Sequence, residues 1–209
     1  MLQALTANED RTYTVATGLA ALGILGVAFG IRTLRGIPQG DPGCSLEAYK
    51  AKISAEGEST KTAERAYKYM PYVTAAAEKW GVPPHILAGL VHTESKWSPV
   101  AGSSKGAVGL AQLLEGTAND SRNRMKSNGD WPFGSLNRKD PAQSAWLGAY
   151  YLHRMLRERD MEHALAAYNA GPGRIKQGDA PDTWPQETQK YVPAVLRRAQ
   201  WYYDLWDNC

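Results

Sequence analysis

Twenty consecutive residues near the amino terminus, at positions 12–31, carry no charged side chain and are mostly apolar. At about 1.5 Å per residue, a helix of this length spans roughly 30 Å, which is the thickness of the hydrocarbon core of a bilayer. A helix also satisfies every backbone polar group internally, as a membrane interior demands. We therefore predict a single transmembrane helix over residues 11–35, preceded by a polar tail over residues 1–10.

A cleaved signal peptide is the competing interpretation of this apolar run. Glu9 and Asp10 stand where a signal peptide has basic residues, and no clear cleavage site with small residues precedes the polar sequence that follows. The membrane interpretation is favoured for these two reasons. Membrane contact is accordingly assigned to residues 12–31.

The charges beside the run and the two cysteines lead to opposite predictions of orientation. Arg32 and Arg35 follow the run and Arg11 precedes it, and the more basic flank tends to remain on the cytoplasmic side. A disulfide between Cys44 and Cys209 would instead suit an oxidising compartment. Two free thiols are the alternative, because a sequence does not show whether their Cα atoms approach each other. One of the two predictions must be wrong.

The composition of the chain narrows the classes of function. Apolar residues make up 43% of the 209 residues, enough for a core, and the net charge is only +3. Without a dense patch of lysine and arginine, nucleic-acid binding is not predicted. Neither cysteine belongs to a CxxC pair and the four histidines lack HExxH spacing, so no metal site is predicted.

The apolar positions after the run recur at helical spacing, and alternation typical of strands is almost absent. We predict a predominantly α-helical fold, with residues 36–60 as a turn-rich linker containing a short helix and residues 61–209 as one domain. Pro71 is expected to kink or divide its helix. The predicted helices cover residues 46–56, 62–80, 84–95, 113–123, 141–159 and 161–169, and a last helix begins at 187.

One carboxylate, Glu94, lies where the apolar helix over residues 84–95 should end, and the chain after it is small, polar and rich in glycine. A carboxyl group at a buried helix end is desolvated, which raises its pKa and suits it as a general acid. A solvated surface glutamate is the alternative interpretation. His92, two residues earlier, should point elsewhere around the helix.

The sequence from Glu94 onward resembles the signature of the lytic transglycosylase domain, which has a lysozyme-like fold. The first block is ESxWSPxAxSxxGAxGLxQ over residues 94–112, and the blocks AYNAGPG at 167–173 and ETxxYV at 187–192 follow in the family's order. PPxIL at 83–87 is similar to the family's entry into the catalytic helix. The resemblance covers roughly residues 46–204, and it implies a lysozyme-like helical domain after the transmembrane helix.

This resemblance implies that peptidoglycan is the partner and substrate, with cleavage of the β-1,4 bond between N-acetylmuramic acid and N-acetylglucosamine. Glu94 would act first as general acid on the leaving oxygen and then as general base on the muramoyl C6 hydroxyl, which gives a 1,6-anhydro product. Neither a metal nor a cofactor is implied.

The resemblance also implies a set of substrate-binding residues around Glu94. Core packing is the alternative role for the two tyrosines of this set, and a helix-start carboxylate favoured by the helix dipole is the alternative for the glutamate. The set comprises Ser103, Gln112, Tyr168, Asn169, Glu187 and Tyr191.

The chain departs from the family pattern at Ala111, Leu114 and Glu115, where the family usually has Met, Met and Pro. We expect these changes to alter the wall of the cleft, and Gly106 and Gly109 to let the backbone approach the sugar. A second carboxylate would favour a hydrolase. The candidates for it are Glu115, Asp120, Asp130 and Asp140.

Three other functions stay open at this point: a goose-type-like lysozyme, a wall endopeptidase on the same fold, and a structural virion component with a degenerate site. Two settings are also open. The protein is anchored either in the membrane of a phage virion or in a bacterial inner membrane with a periplasmic domain, as part of an envelope machine such as a secretion system.

Overall fold

The computed structural model describes residues 43–209. The tail predicted over residues 1–10 and the transmembrane helix predicted over residues 11–35 lie outside these described residues. Within residues 43–209, no helix is both long enough and apolar enough to cross a bilayer.

The described part of the chain is built almost entirely from α-helices, which confirms the predicted fold class. Strand-like pairing in this part is limited to isolated bridges that join Gly102 to Val108 and Val108 to Leu113. The elements are α1 Leu46–Ala55, α2 Thr60–Trp80, α3 Pro84–Ser95, α4 Glu115–Ser127, α5 Pro141–Leu156, α6 Met161–Ala170, a 3₁₀ turn Pro181–Thr183 and α7 Gln186–Asp207.

The helices differ from the prediction most clearly at two places, and the other ends differ by no more than three residues. α2 runs unbroken through Pro71. Proline has no N–H group, so the Tyr67 carbonyl loses its helical hydrogen-bond donor. Both residues are exposed, and water can bind that carbonyl instead. α4 covers Glu115–Ser127 instead of 113–123, because the chain before it is still in a loop in which Gln112 has a left-handed φ of 48°. Both differences come from conformations that apolar spacing does not encode.

α3 is the central helix of the fold. It begins at Pro84, where proline is tolerated because the first-turn N–H has no helical partner, and it ends at Ser95 because Lys96 takes a left-handed φ of 47°. α2 and α7 pack on α3, and α7 makes the more extensive contact. The fully buried apolar side chains of α3 are Ile86, Leu87, Leu90 and Val91.

α7 crosses α3 at Gly89 with almost no space between the two backbones. A Cβ atom at position 89 would lie 2.6 Å from both the Val195 carbonyl oxygen and the Ala199 amide nitrogen. No side chain fits at that distance, so glycine sets the separation of the two helices. The first turns of α7 are thereby brought beside the carboxyl end of α3.

α1 packs against the end of α7 and belongs to the same folded body. Tyr49 and Ile53 of α1 are buried, and the Trp206 Nε1 donates to the Tyr49 hydroxyl at 3.2 Å. Cys44 and Cys209 form a disulfide whose two Cα atoms are 5.3 Å apart. The short helix predicted within the linker over residues 36–60 is present as α1, and it packs on α2 and α7.

Replacing Gly89 by alanine tests the close crossing. Although alanine favours a helix by up to about 1 kcal/mol, the overlap with α7 should dominate and lower the free energy of unfolding by about 2 kcal/mol. Denaturant unfolding measures the difference. Gly116→Ala is the matched control, because a Cβ at this helical position meets nothing within 4 Å; it should be neutral or slightly stabilising. Equal stability of the two variants would disprove the crossing.

Replacing Cys209 by serine should lower the free energy of unfolding by about 2–5 kcal/mol, since the disulfide closes a loop of 165 residues and restricts the unfolded chain. Thermal unfolding with and without a reductant measures this. The wild-type protein should lose the same stability in reductant, and Cys209→Ser should not respond to it. A reductant-insensitive wild type would mean that α1 is held by packing alone.

Candidate active site

Glu94 lies in the last turn of α3, half-buried and held by α7. The Tyr191 hydroxyl donates a hydrogen bond to its Oε1 at 2.7 Å. Tyr191 is itself buried, on the second turn of α7. Glu94 is therefore a partly buried side chain with a specific partner, and the interpretation as a solvated surface residue is wrong.

Burial raises the pKa of Glu94 from 4.5 to about 7. The hydrogen bond from Tyr191 acts in the opposite direction, because it stabilises the carboxylate, and the negative charge of Glu187 adds to the increase. Desolvation outweighs the hydrogen bond. A pKa near neutrality lets this group both donate and accept a proton.

Tyr168 lies in α6, buried, with its hydroxyl donating to the Ala111 carbonyl oxygen at 2.8 Å. Burial raises its pKa well above the ordinary value, and the charge of Glu94 acts in the same direction. Tyr168 thus stays protonated beside Glu94, and it fixes the loop over residues 101–113. Neither tyrosine is only a packing residue.

Gln112 uses its side chain to tie the loop over residues 101–113 together. Its Nε2 donates to the Gly109 carbonyl at 2.8 Å and to the Ala101 carbonyl at 3.0 Å. Ser103 is exposed at the rim of the same loop, and its Oγ accepts from the Ala107 amide at 3.1 Å. Both side chains shape the loop, and binding of sugars by either remains a prediction.

Two residues outside the sequence blocks hold this loop and were not found from the sequence. Arg138 donates from Nη1 to the carbonyls of Gly106 and Leu113, both at 2.9 Å. Ser144, buried in α5, accepts from the Ala111 amide at 3.1 Å. Both act on backbone atoms far away in the sequence, so no motif marks them.

The Ala111 side chain contributes no surface of its own to the site, and a changed cleft wall at this position stays a prediction. Ala111 is fully buried, and a Cβ added to Gly148 of α5 would lie 2.6 Å from the Ala111 Cβ. The fold itself requires glycine at position 109, because a Cβ there would overlap the Arg138 carbonyl oxygen. Leu114 is 46% exposed, so this departure does change the surface beside the loop.

Glu187 lies at the start of α7 with an exposed side chain. Its Oε2 is 3.7 Å from the Nζ of Lys105, which is equally exposed in the loop over residues 101–113. Such a pair contributes little to stability. The position of Glu187 still affects the site, because its negative charge helps to raise the pKa of Glu94.

Asn169, at the end of α6, meets α7 through Thr188. The Thr188 hydroxyl donates to the Asn169 Oδ1 at 2.7 Å, and Thr188 is buried. The first two turns of α7 thus supply Glu187, Thr188 and Tyr191 to one region around Glu94. The sequence blocks containing these residues meet in space as the resemblance implied.

The four carboxylates considered as second acids or bases have other partners. Each is bound to a cation or caps a helix, which explains it structurally. The partners are Arg124 and Arg154 for Asp120, Lys79 for Asp130, the Gln143 amide for Asp140 and Arg138 for Glu115.

Residues 71–189 match the Transglycosylase SLT domain family, which is more than half of the chain. The chain belongs to this family. The match begins inside α2 and ends inside α7, so Cys44, Cys209 and α1 lie outside it. Tyr191, the hydrogen-bond partner of Glu94, lies two residues beyond its end. In this chain α1 and the disulfide thus lie outside the matched segment.

Individual relatives of this SLT domain are longer proteins. Membrane-bound lytic murein transglycosylase F 1 of Alkalilimnicola ehrlichii is 33% identical over 156 residues, which is 67% of this chain and 29% of that protein. The transglycosylase of Enterobacteria phage PRD1 is 30% identical over 128 residues, which is 61% of this chain and 44% of that protein. The chain thus spans less than half the length of either relative.

A solved structure supports the same fold. It is an inactive Glu-to-Gln mutant of the lytic transglycosylase Slt from Pseudomonas aeruginosa, with a TM-score of 0.54 and 30% sequence identity. The similarity covers 65% of this chain and 24% of that chain. The lysozyme-like SLT fold predicted for the helical domain is therefore confirmed.

The pKa of Glu94 should respond in opposite directions to its two polar neighbours. Tyr191→Phe removes the hydrogen bond that stabilises the carboxylate, so the pKa should rise above about 7. Glu187→Gln removes a neighbouring negative charge, so the pKa should fall below about 7. Titration of the Glu94 carboxyl ¹³C resonance by NMR measures both changes.

Glu115→Gln is the matched control for this titration, because Glu115 is exposed and pairs with Arg138. The Glu94 midpoint should not move in this variant. A wild-type midpoint near 4.5 would show that burial does not raise the pKa of Glu94.

Proposed function

We propose that this chain is a peptidoglycan lytic transglycosylase in which Glu94 is the single acid/base. The observation that carries the proposal is the half-buried Glu94 with a pKa of about 7 and a hydrogen bond from Tyr191, within an SLT domain. Relatives named lytic murein transglycosylases support the assignment of substrate class. The proposed bond is the β-1,4 linkage between N-acetylmuramic acid and N-acetylglucosamine.

In the first proposed step, protonated Glu94 donates its proton to the glycosidic oxygen. The bond from that oxygen to C1 of the muramoyl residue breaks, its electron pair stays with the oxygen, and N-acetylglucosamine leaves with a restored hydroxyl. The muramoyl residue's own 2-acetamido oxygen stabilises the electron-poor C1 until the next step. Glu94 is then a carboxylate in a poorly solvated position. The Tyr191 hydroxyl, 2.7 Å from Oε1, stabilises this charge as it forms.

In the second step, the Glu94 carboxylate accepts the proton of the muramoyl C6 hydroxyl. The C6 oxygen attacks C1 and closes a 1,6-anhydro ring, while Glu94 returns to its protonated form. No water is consumed, so a second carboxylate is not needed to activate one. A pKa near neutrality suits a group that must act as acid and then as base.

Hydrolysis is the second candidate, and Glu187 is the residue that favours it. Its charge reaches Glu94, and two carboxylates of defined separation are what ordinary glycosidases use. Glu187 is exposed and lies near Lys105, so it is less suited to holding a water molecule. We assign it to tuning the pKa of Glu94.

Replacing Glu94 by glutamine should reduce the release of fragments from purified peptidoglycan by about a thousandfold, because the amide cannot transfer the proton. Mass spectrometry of wild-type products should show 1,6-anhydro ends, one water lighter than reducing ends. Glu115→Gln should retain activity. Reducing ends in the products would favour hydrolysis, and full activity of Glu94→Gln would refute the mechanism. An inactive Glu-to-Gln mutant of Slt agrees with the expectation.

We further propose that residues 12–31 anchor the enzyme in a membrane, with a catalytic unit that begins at Cys44. The disulfide supports an oxidising compartment, so it argues against the cytoplasmic orientation that Arg32 and Arg35 favour. A bacterial inner membrane with the domain outside the cytoplasm and the membrane of a phage virion both satisfy this. One relative is named membrane-bound and another belongs to a phage.

A further inference from the structure

The chain leaves the catalytic helix α3 through two consecutive residues with left-handed backbones. Lys96 has a φ of 47° and Trp97 a φ of 60°. The Lys96 amide donates to the His92 carbonyl at 3.0 Å and closes the helix, at a position where glycine is usual. A residue other than glycine is strained in this conformation and keeps it only where its surroundings hold it. This turn begins two residues after Glu94.

Each residue of this turn is held through its side chain. Trp97 is fully buried, and its Nε1 donates to the Tyr202 hydroxyl of α7 at 2.7 Å. Lys96 is mostly exposed, and its Nζ donates to Oε2 of Glu58 at 2.9 Å. Burial therefore fixes the tryptophan, whereas the lysine is fixed by its ion pair with Glu58.

Glu58 extends from a rigid turn between α1 and α2. Gly57 before it has a φ of 80°, and the Glu58 amide donates to the Ile53 carbonyl at 3.2 Å. Ser59 after it is the N-cap of α2. The backbone is thus fixed on both sides of Glu58. Its carboxylate is held in place with only 11% of the side chain exposed.

The Glu58 carboxylate faces cations from two helices. Besides Lys96 at the end of α3, Arg198 of α7 places its Nη2 3.6 Å from Oε1. His92 lies equally close, but burial lowers its pKa to about 4, so it is neutral near pH 7. Burial opposes ionisation of Glu58, yet the hydrogen bond from Lys96 and the nearby cations keep its pKa below the ordinary value. Glu58 thus ties the end of α3 to α7.

Arg198 connects Glu58 to the residue that precedes Glu94. The Arg198 Nη1 donates to Oγ1 of Thr93 at 3.4 Å. Thr93 before Glu94 and Lys96 after it are therefore both linked to Glu58, the first through Arg198 and the second directly. Glu58 lies outside residues 71–189, so this link is not part of the matched segment.

We propose that Glu58 is a positioning residue for Glu94, which holds the left-handed turn at Lys96 and with it the last turn of α3. The effect on catalysis rests on the proposed function, whereas the effect on the turn does not. Without the charge of Glu58, Lys96 relaxes towards an unstrained φ. The Glu94 carboxyl group then moves relative to the Tyr191 hydroxyl.

Backbone NMR tests the turn without catalysis, because Cα and Cβ chemical shifts report φ. Glu58→Gln keeps the shape of the side chain and removes its charge, so the Lys96 shifts should move away from left-handed values. Glu47→Gln is the matched control, since Glu47 is 80% exposed and pairs with Lys50 on α1. It should leave the Lys96 shifts unchanged. Unchanged Lys96 shifts in Glu58→Gln overturn the proposal.

Kinetics on peptidoglycan measure the consequence for Glu94. Glu58→Gln should lower kcat about tenfold, because a small misplacement of the acid slows proton transfer, and should change KM by less than about twofold. Glu47→Gln should retain both constants. Thermal unfolding of each variant separates these effects from loss of folded protein. An unchanged kcat in Glu58→Gln contradicts the proposal.

Two replacements of Lys96 separate the conformation of the turn from the ion pair. Lys96→Met removes the ion pair and leaves a strained residue unheld, so it should lower kcat about tenfold. Lys96→Gly also removes the ion pair, but glycine adopts a φ of 47° without strain, so kcat should stay near the wild-type value. Equal losses in the two variants would overturn the proposal.

The two kinds of measurement also separate this proposal from the proposed function. A wild-type protein that does not cleave peptidoglycan would refute the proposed function. The Lys96 chemical shifts would still decide whether Glu58 holds the turn.

Discussion

The close crossing of α3 and α7 is the constraint on which the site depends. At Gly89 the backbone of α7 occupies the space of a side chain, with the Val195 carbonyl oxygen 2.6 Å from an added Cβ. A wider crossing would move the first turns of α7 away from the end of α3. The Tyr191 hydroxyl could then no longer reach Glu94. The absence of a side chain at Gly89 therefore sets the distance between the Tyr191 hydroxyl and Glu94.

Keeping Glu94 at this position destabilises the fold whenever the group is ionised. A pKa of about 7 in place of 4.5 corresponds to about 3 kcal/mol of disfavoured charge. This cost is absent below pH 4.5, grows as the pH rises towards 7 and stays constant above it, because the folded state binds the proton more tightly. The buried core of α3 and the disulfide offset it. The same desolvation gives Glu94 a proton to donate near neutral pH.

The loop over residues 101–113 is held in place by groups from three other parts of the fold. The peptide groups of Ala111 bind Ser144 through N–H and Tyr168 through the carbonyl, and Arg138 binds the Gly106 and Leu113 carbonyls. These contacts supply the loop with partners that a strand ladder would otherwise give. Preorganisation of this kind gives a short irregular segment a fixed position beside Glu94.

The sequence alone determined the helical class, the acid at the end of an apolar helix and the blocks that meet around it, because helical spacing and short motifs are local. It did not determine the pKa of Glu94, the pairing of Cys44 with Cys209, or the burial of Ala111 against Gly148. Those properties depend on which distant residues become neighbours. Only the tertiary structure decides them, since burial and close approach are relations between segments that no local pattern records.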